Sequence, residues 1–161
     1  MQSTKPFEIA DDHFRKDDFP FYWIARVNAV YNNAMEVALQ AVDCDITSWR
    51  IIATLFEQGT CNISELATQA VGKISTVTRT VQKLKARGLV ETSTPAEDGR
   101  VTDVGLTDEG RQMMRRIMDA TYTLFRQSFQ GLSPKQIKNL NDYLEVIFNN
   151  LPRPTAYKGR K

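Results

Sequence analysis

The apolar positions of this 161-residue chain fall into blocks of helical period, interrupted once by a short alternating stretch. Between about Phe19 and Val42, the residues Trp23, Ile24, Val27, Val30, Tyr31, Ala34, Met35, Val37, Ala38 and Leu39 predict one long helix. They wrap too much of its girth for a single stripe, and a helix apolar on most sides needs partners on more than one of them. In a chain of this size, a second subunit is the natural supplier. The next helix is predicted to open at Thr47 as N-cap, with Ile46 stapled to Ile51 across it. Trp49, Ile52, Leu55 and Phe56 form its buried side, and Gly59 ends it. Asn62 and Glu65 have the spacing of a capping box for a short helix through Leu66, Ala67 and Ala70, and Gly72 marks the turn that follows. A further apolar stripe at Ile74, Val77, Val81 and Leu84 predicts a helix from about Ile74 to Arg87, ended at Gly88.

The period then drops to two. Thr102, Val104 and Leu106 alternate in "RVTDVGL", which pairs as a hairpin with "LVETST" through "PAEDG", where Asp98-Gly99 supplies the turn chemistry. Thr107 caps the next helix, with Asp108 and Glu109 at its positive end and Met114, Ile117, Met118, Thr121, Leu124 and Phe125 on its apolar face. Gly131 breaks that helix. Ser133 as N-cap, Pro134 at N1, Gln136 at N3 and a Leu132–Ile137 staple start the last one. Ile137, Leu140, Leu144, Ile147, Phe148 and Leu151 run down it, and Pro152 stops it. The expected fold is mainly α with a small β-hairpin. It has a winged helix-turn-helix domain at residues 45–107, flanked by helical dimerisation segments at 18–44 and 108–151. An N-terminal arm covers 1–17 and a basic C-terminal tail covers 152–161.

Charge sharpens this picture through its placement. The net charge is only +2, but residues 73–100 carry six lysines and arginines against three acids, and the tail carries Arg153, Lys158, Arg160 and Lys161 with no acidic side chain. The helix "STVTRTVQKLKARGLV" has no Asp or Glu, and Ser75, Arg79, Gln82 and Lys83 point away from its apolar stripe with Thr76 and Thr78 beside them. An α-helix fits the B-DNA major groove, and small hydroxyls, Gln and Arg reach base edges or phosphates from it. Lys73 falls near the positive end of the helix dipole, where a cation is disfavoured unless an anion such as a phosphate is near.

In order, "ISELATQ", "STVTRTVQKLKARGLV", the Asp98-Gly99-Arg100 triplet and "VGLTDEG" resemble the MarR family of winged helix-turn-helix transcriptional regulators, over roughly residues 47–115. The resemblance implies a homodimer whose first and last helices interlock and whose two winged domains straddle a pseudo-palindromic DNA operator. It implies that Ser75, Thr76, Thr78 and Arg79 lie in the major groove and that Arg100, oriented by Asp98, enters the minor groove. Lys73, Gln82 and Lys83 complete the expected contact set. Two positions depart from the family pattern: Thr92 stands where a basic residue is usual, and Gly99 where the first of two arginines is usual. The family also suggests a repressor released by a small aromatic acid. Arg26, Tyr31, Trp49 and Arg50 are the candidate pocket, since an arginine suits a carboxylate.

The remaining chemistry is sparse. No apolar run reaches the roughly 20 residues of a membrane helix, and the acidic start lacks the apolar stretch of a signal peptide, so a cytoplasmic protein is expected. Cys44 and Cys61 read as free structural thiols; the alternative is a thiol-based redox sensor, which the acids beside Cys44 disfavour. The lone His13 has no nucleophile or metal-ligand partners in the sequence, and "VGKIS" lacks the upstream glycine of a phosphate loop. No enzyme, metal or cofactor is therefore expected. A winged helix that docks on an acidic protein is the other function to weigh.

Overall fold

A computed structural model describes residues 15–93 and 102–152. After a 3-10 turn at Lys16–Asp18, these residues form α1 (Pro20–Gln40), α2 (Ile46–Gln58), β1 (Cys61–Asn62), α3 (Ile63–Gln69), α4 (Ile74–Ala86), β2 (Val90–Ser93), β3 (Asp103–Leu106), α5 (Asp108–Ser128) and α6 (Pro134–Asn150). The chain divides into two compact units, residues 1–124 and 125–161. The fold is mainly α with a small sheet, as the periodicities predict. His13 and the tail arginines and lysines lie outside the described residues.

In the first unit the strands pair antiparallel in the order β1-β3-β2. Val104 sits centrally, opposite Cys61 on one side and Thr92 on the other. The core gathers Met35 and Leu39 of α1, Ile51, Ile52 and Leu55 of α2, Leu66 of α3, Val77, Val81 and Leu84 of α4, Val104 of β3 and Ile117 of α5, all essentially inaccessible to solvent. Each large apolar side chain so buried contributes on the order of 1.5–3 kcal/mol before the entropy of ordering it is subtracted.

Local signals placed most element ends, and the exceptions have physical causes. The cap of α2 is Asp45, not Thr47: its extended backbone lets its carboxylate accept the Ser48 N–H at 2.8 Å, which draws Ile46 inside the helix and removes the expected staple. The capping box of α3 is present in both directions, Glu65 N–H to Asn62 Oδ1 at 2.9 Å and Asn62 N–H to Glu65 Oε2 at 3.0 Å. The stripe of α4 is shorter than its spacing suggested. Val77, Val81 and Leu84 are buried, but Ile74, at the first position of the helix, is 56% exposed. On α5 the buried side runs through Gly110, Met113, Met114, Ile117 and Thr121, so Met118, one step round the helix, is exposed.

In the second unit, Gly131 adopts a left-handed φ of 89° and leads into α6. Ser133 and Gln136 form the predicted capping box ahead of it, with Pro134 in its first turn. This helix buries no residue fully, and Leu140, Tyr143, Leu144, Val146, Phe148 and Leu151 are exposed along it. No described helix is long and apolar enough to cross a membrane.

Candidate nucleic-acid interface

Three local devices hold α4. Its inner side packs on α2 and α3 through Val77, Val81 and Leu84. Its C-terminus closes with a Schellman pair of bonds, Leu89 N–H to the Leu84 carbonyl and Gly88 N–H to the Lys85 carbonyl, with Gly88 at φ 71°. The Arg87 guanidinium then reaches the α1–α2 corner, donating to the Asp43 carbonyl at 2.8 Å and lying 3.1 Å from its carboxylate. The "GLV" and "LTDEG" segments are knitted directly behind this end. The Thr107 hydroxyl donates to the Gly88 carbonyl at 2.7 Å and accepts from the Gly110 N–H at 3.0 Å, while the Thr107 N–H donates to the Leu89 carbonyl.

The outer side of α4 is polar and basic. Lys73, Ser75, Thr76, Arg79, Gln82 and Lys83 are exposed, and Thr78 is half-buried between them and the core side. Lys73 is the N-cap; its ammonium has no lone pair with which to accept a cap bond, so a cation stands at the position where an acceptor would suit the positive helix end. The Thr78 hydroxyl donates to the Ile74 carbonyl at 2.8 Å, which leaves its oxygen able to accept and its methyl free to make apolar contact. Thr80 bonds back to Thr76 in the same way but is buried, which takes it out of the outer face. No acidic residue occurs between Glu65 and Glu91.

Lys85 donates to the Thr92 hydroxyl on β2, which sets a cation at the root of the hairpin, where Thr92 itself has none. Neither Lys85 nor Arg87 belongs to the contact set expected from the sequence. For Lys85 the uncharged Thr92 was the available hint; the Arg87–Asp43 pair spans 44 residues and has no local signature. Asp98 and Arg100 lie outside the described residues.

The candidate pocket residues divide. Tyr31 and Trp49 meet edge to face with ring centroids 6.4 Å apart. Burial raises the pKa of the Tyr31 phenol, and the neighbouring Arg50 charge opposes that rise. Arg26 instead turns to its own helix, donating to the Tyr22 hydroxyl at 2.7 Å and lying over the Tyr22 and Trp23 rings. One residue from Tyr31, the Asn32 side-chain oxygen is out of solvent with no hydrogen-bond partner. Elsewhere, two open grooves of about 520 and 560 Å³ flank Cys44; both are lined by Gln40, Cys44, Asp45 and Lys83, the first also by Thr76 and Arg79.

Comparison with known proteins bears on this arrangement. A family model described as MarR family matches residues 45–102. The HTH-type transcriptional repressor IacR of Pseudomonas putida is 47% identical over 142 residues, spanning 88% of this chain and 85% of that protein. Among solved structures, a MarR-family transcriptional regulator from Silicibacter pomeroyi superposes with a TM-score of 0.78 at 24% identity, over 88% of this chain and 95% of that one. CouR from Rhodococcus jostii RHA1, solved bound to p-coumaroyl-CoA, superposes with a TM-score of 0.76 at 20% identity, over 86% and 99% of the two chains. At these identities the two structures speak for the fold.

Proposed function

From the premise that this chain belongs to the MarR family of DNA-binding transcription regulators, we propose that it is a homodimeric repressor that grips a pseudo-palindromic operator through α4 and lets go when a small molecule binds. The observation that carries the reading is the exposed face of α4, where Lys73, Ser75, Thr76, Arg79, Gln82 and Lys83 stand together on a helix with no acid of its own while the opposite side is locked in the core. Hydroxyls, amide and guanidinium supply base-edge contacts, and the ammoniums hold phosphates. Two such helices related by a two-fold axis match half-sites about one helical turn apart, roughly 34 Å. Arg100 completes each half by entering the adjacent minor groove, where narrow A·T-rich segments concentrate negative potential, and Asp98 orients it.

Two segments are taken to pair with a second copy: the apolar girth of α1 in the first unit and, separately, α6 in the second. The effector is an aromatic acid held by Tyr31 and Trp49 with Arg50, the charge beside Tyr31, on its carboxylate. The relative that is 47% identical is named a repressor, which supports the repressor part of this reading. Such a ligand acts only through its preference for one spacing of the two α4 helices, a coupling of about 1–3 kcal/mol in typical cases.

The test is operator binding by Arg79→Ala and Arg100→Ala, using duplex recovered from a random pool by the purified protein. Each substitution is expected to weaken binding by about tenfold or more with the assembly state unchanged. Wild-type affinity in both variants would refute the assignment. No enriched duplex at low salt would favour instead a protein-docking winged helix.

A further inference from the structure

The same hydrogen-bond motif ends three helices of the first unit, and the residue at its left-handed position differs each time. After α4 it is Gly88, at φ 71°. After α1 it is Asp43, at φ 50°, where Cys44 N–H reaches the Leu39 carbonyl and Asp43 N–H the Gln40 carbonyl. After α3 it is Val71, at φ 54°, with Gly72 N–H on the Ala67 carbonyl at 2.9 Å and Val71 N–H on the Thr68 carbonyl at 3.3 Å. Glycine has no Cβ to clash there and aspartate tolerates the conformation; a β-branched side chain is the outlier. A glycine stands one place later, where an added Cβ would come within 3.2 Å of the Val77 methyl.

Packing does not repay the strain at Val71, because its side chain is 81% exposed. A single exposed apolar residue needs no explanation. A strained one does, and it has company: Ile74, first residue of α4, is also exposed, so both ends of this turn present branched aliphatic side chains beside Lys73, Ser75 and Thr76. Backbone strain kept without a folding return points to use of the side chain. In helix-turn-helix proteins the N-terminal part of the second helix meets the base edges, and the apolar group exposed there in the major groove is the C5 methyl of thymine.

We propose that Val71 and Ile74 are specificity-determining residues that contact thymine methyl groups, so that each half-site is read partly by apolar contact at the α3–α4 turn. The proposal rests on α4 being the DNA-reading helix. The neighbouring cations favour a nucleic acid over an apolar protein surface as the occupant, since Lys73 and Arg79 would have to be desolvated against the latter.

The probe is the duplex selected by the full-length protein, synthesised once with thymidine and once with deoxyuridine at every thymidine, which removes only the methyls. Wild-type protein is expected to bind the deoxyuridine duplex more weakly, by about fourfold for each methyl contacted. Ile74→Ala should bind the thymidine duplex more weakly and lose little more on deoxyuridine. Val71→Gly should melt at a higher temperature than wild type, because the strain is relieved, yet show the same reduced discrimination. A rise in stability with a fall in methyl discrimination is a pair that damage to the fold does not produce.

The proposal is overturned if wild type does not distinguish the two duplexes, or if the variants lose affinity equally for both. A change in sedimentation of either variant would make the pair a protein contact instead. Failure to enrich any duplex would bring down the underlying DNA reading, whereas enrichment without a methyl effect would bring down this inference alone.

Discussion

Cys44 illustrates how neighbours set the chemistry of one side chain. The sequence placed it between Asp43 and Asp45 and so predicted a reluctant thiolate; burial proves the larger cause, the two carboxylates add to it, and Arg87 opposes, for a pKa pushed up to about 11. The Arg87 contribution was not legible, because that guanidinium arrives from far along the chain. At pH 8 only roughly one Cys44 in a thousand is then thiolate, which is the reactive form. Native protein should therefore label with iodoacetamide at Cys44 far more slowly than the same protein in urea; equal rates by mass spectrometry would contradict the environment described. The unfolded thiol ionises first, near 9.0, so the stability this thiol contributes is complete below that pH and is lost as pH rises toward 11. Cys61 is buried and its pKa is raised as well, so neither thiol has the electropositive, accessible setting of a peroxide sensor.

The helix boundaries divide by how local their causes are. The boxes at Asn62–Glu65 and Ser133–Gln136 close within four residues, so their residue spacing was enough to find them. Asp45 and Thr47 are both good caps, and choosing between them required the path of the α1–α2 corner. Gly110 marks the other extreme. In the sequence it is one letter of "LTDEG"; in the structure an added Cβ would lie 2.0 Å from the Leu89 carbonyl oxygen, at the junction of α5 with the segment leading into β2. A rigid backbone atom cannot step aside as a side chain can. Gly110→Ala should cost about 1–3 kcal/mol, even though alanine favours helix elsewhere. Chemical denaturation gives the value, and a variant as stable as wild type would show that the junction can open without cost.

For the whole molecule, the telling feature is apolar surface left uncovered. On α1, Phe21, Trp23, Val27, Val30 and Val37 are exposed, and only Met35 and Leu39 are fully buried; α6 buries nothing fully. The breadth of the α1 pattern predicts a second subunit, and these exposed residues are the ones such a partner would cover. Exposed patches of this kind on elongated helices mark interfaces. Val30→Glu, on a position 70% exposed in the single chain, should leave the folded unit intact by circular dichroism while shifting sedimentation from a dimer toward the 18.3 kDa chain. Operator affinity should fall with it, because two linked readers become one. A variant that sediments like wild type would remove Val30 from the interface.

Periodicity, caps and charge placement are carried by residues within a few positions of each other, and from them the order of elements, the winged helix-turn-helix and the basic face of α4 could be written down. Position in space depends on contacts between distant segments, and those were decided by the fold: Ile74 is exposed despite matching the stripe of Val77, Val81 and Leu84. Val71 is left-handed although glycine stands beside it. Arg87 holds Asp43 and Lys85 holds Thr92, pairings that short-range patterns do not encode. A one-dimensional pattern states which faces a helix has; only the assembled neighbours determine which of those faces meets the core and which meets solvent.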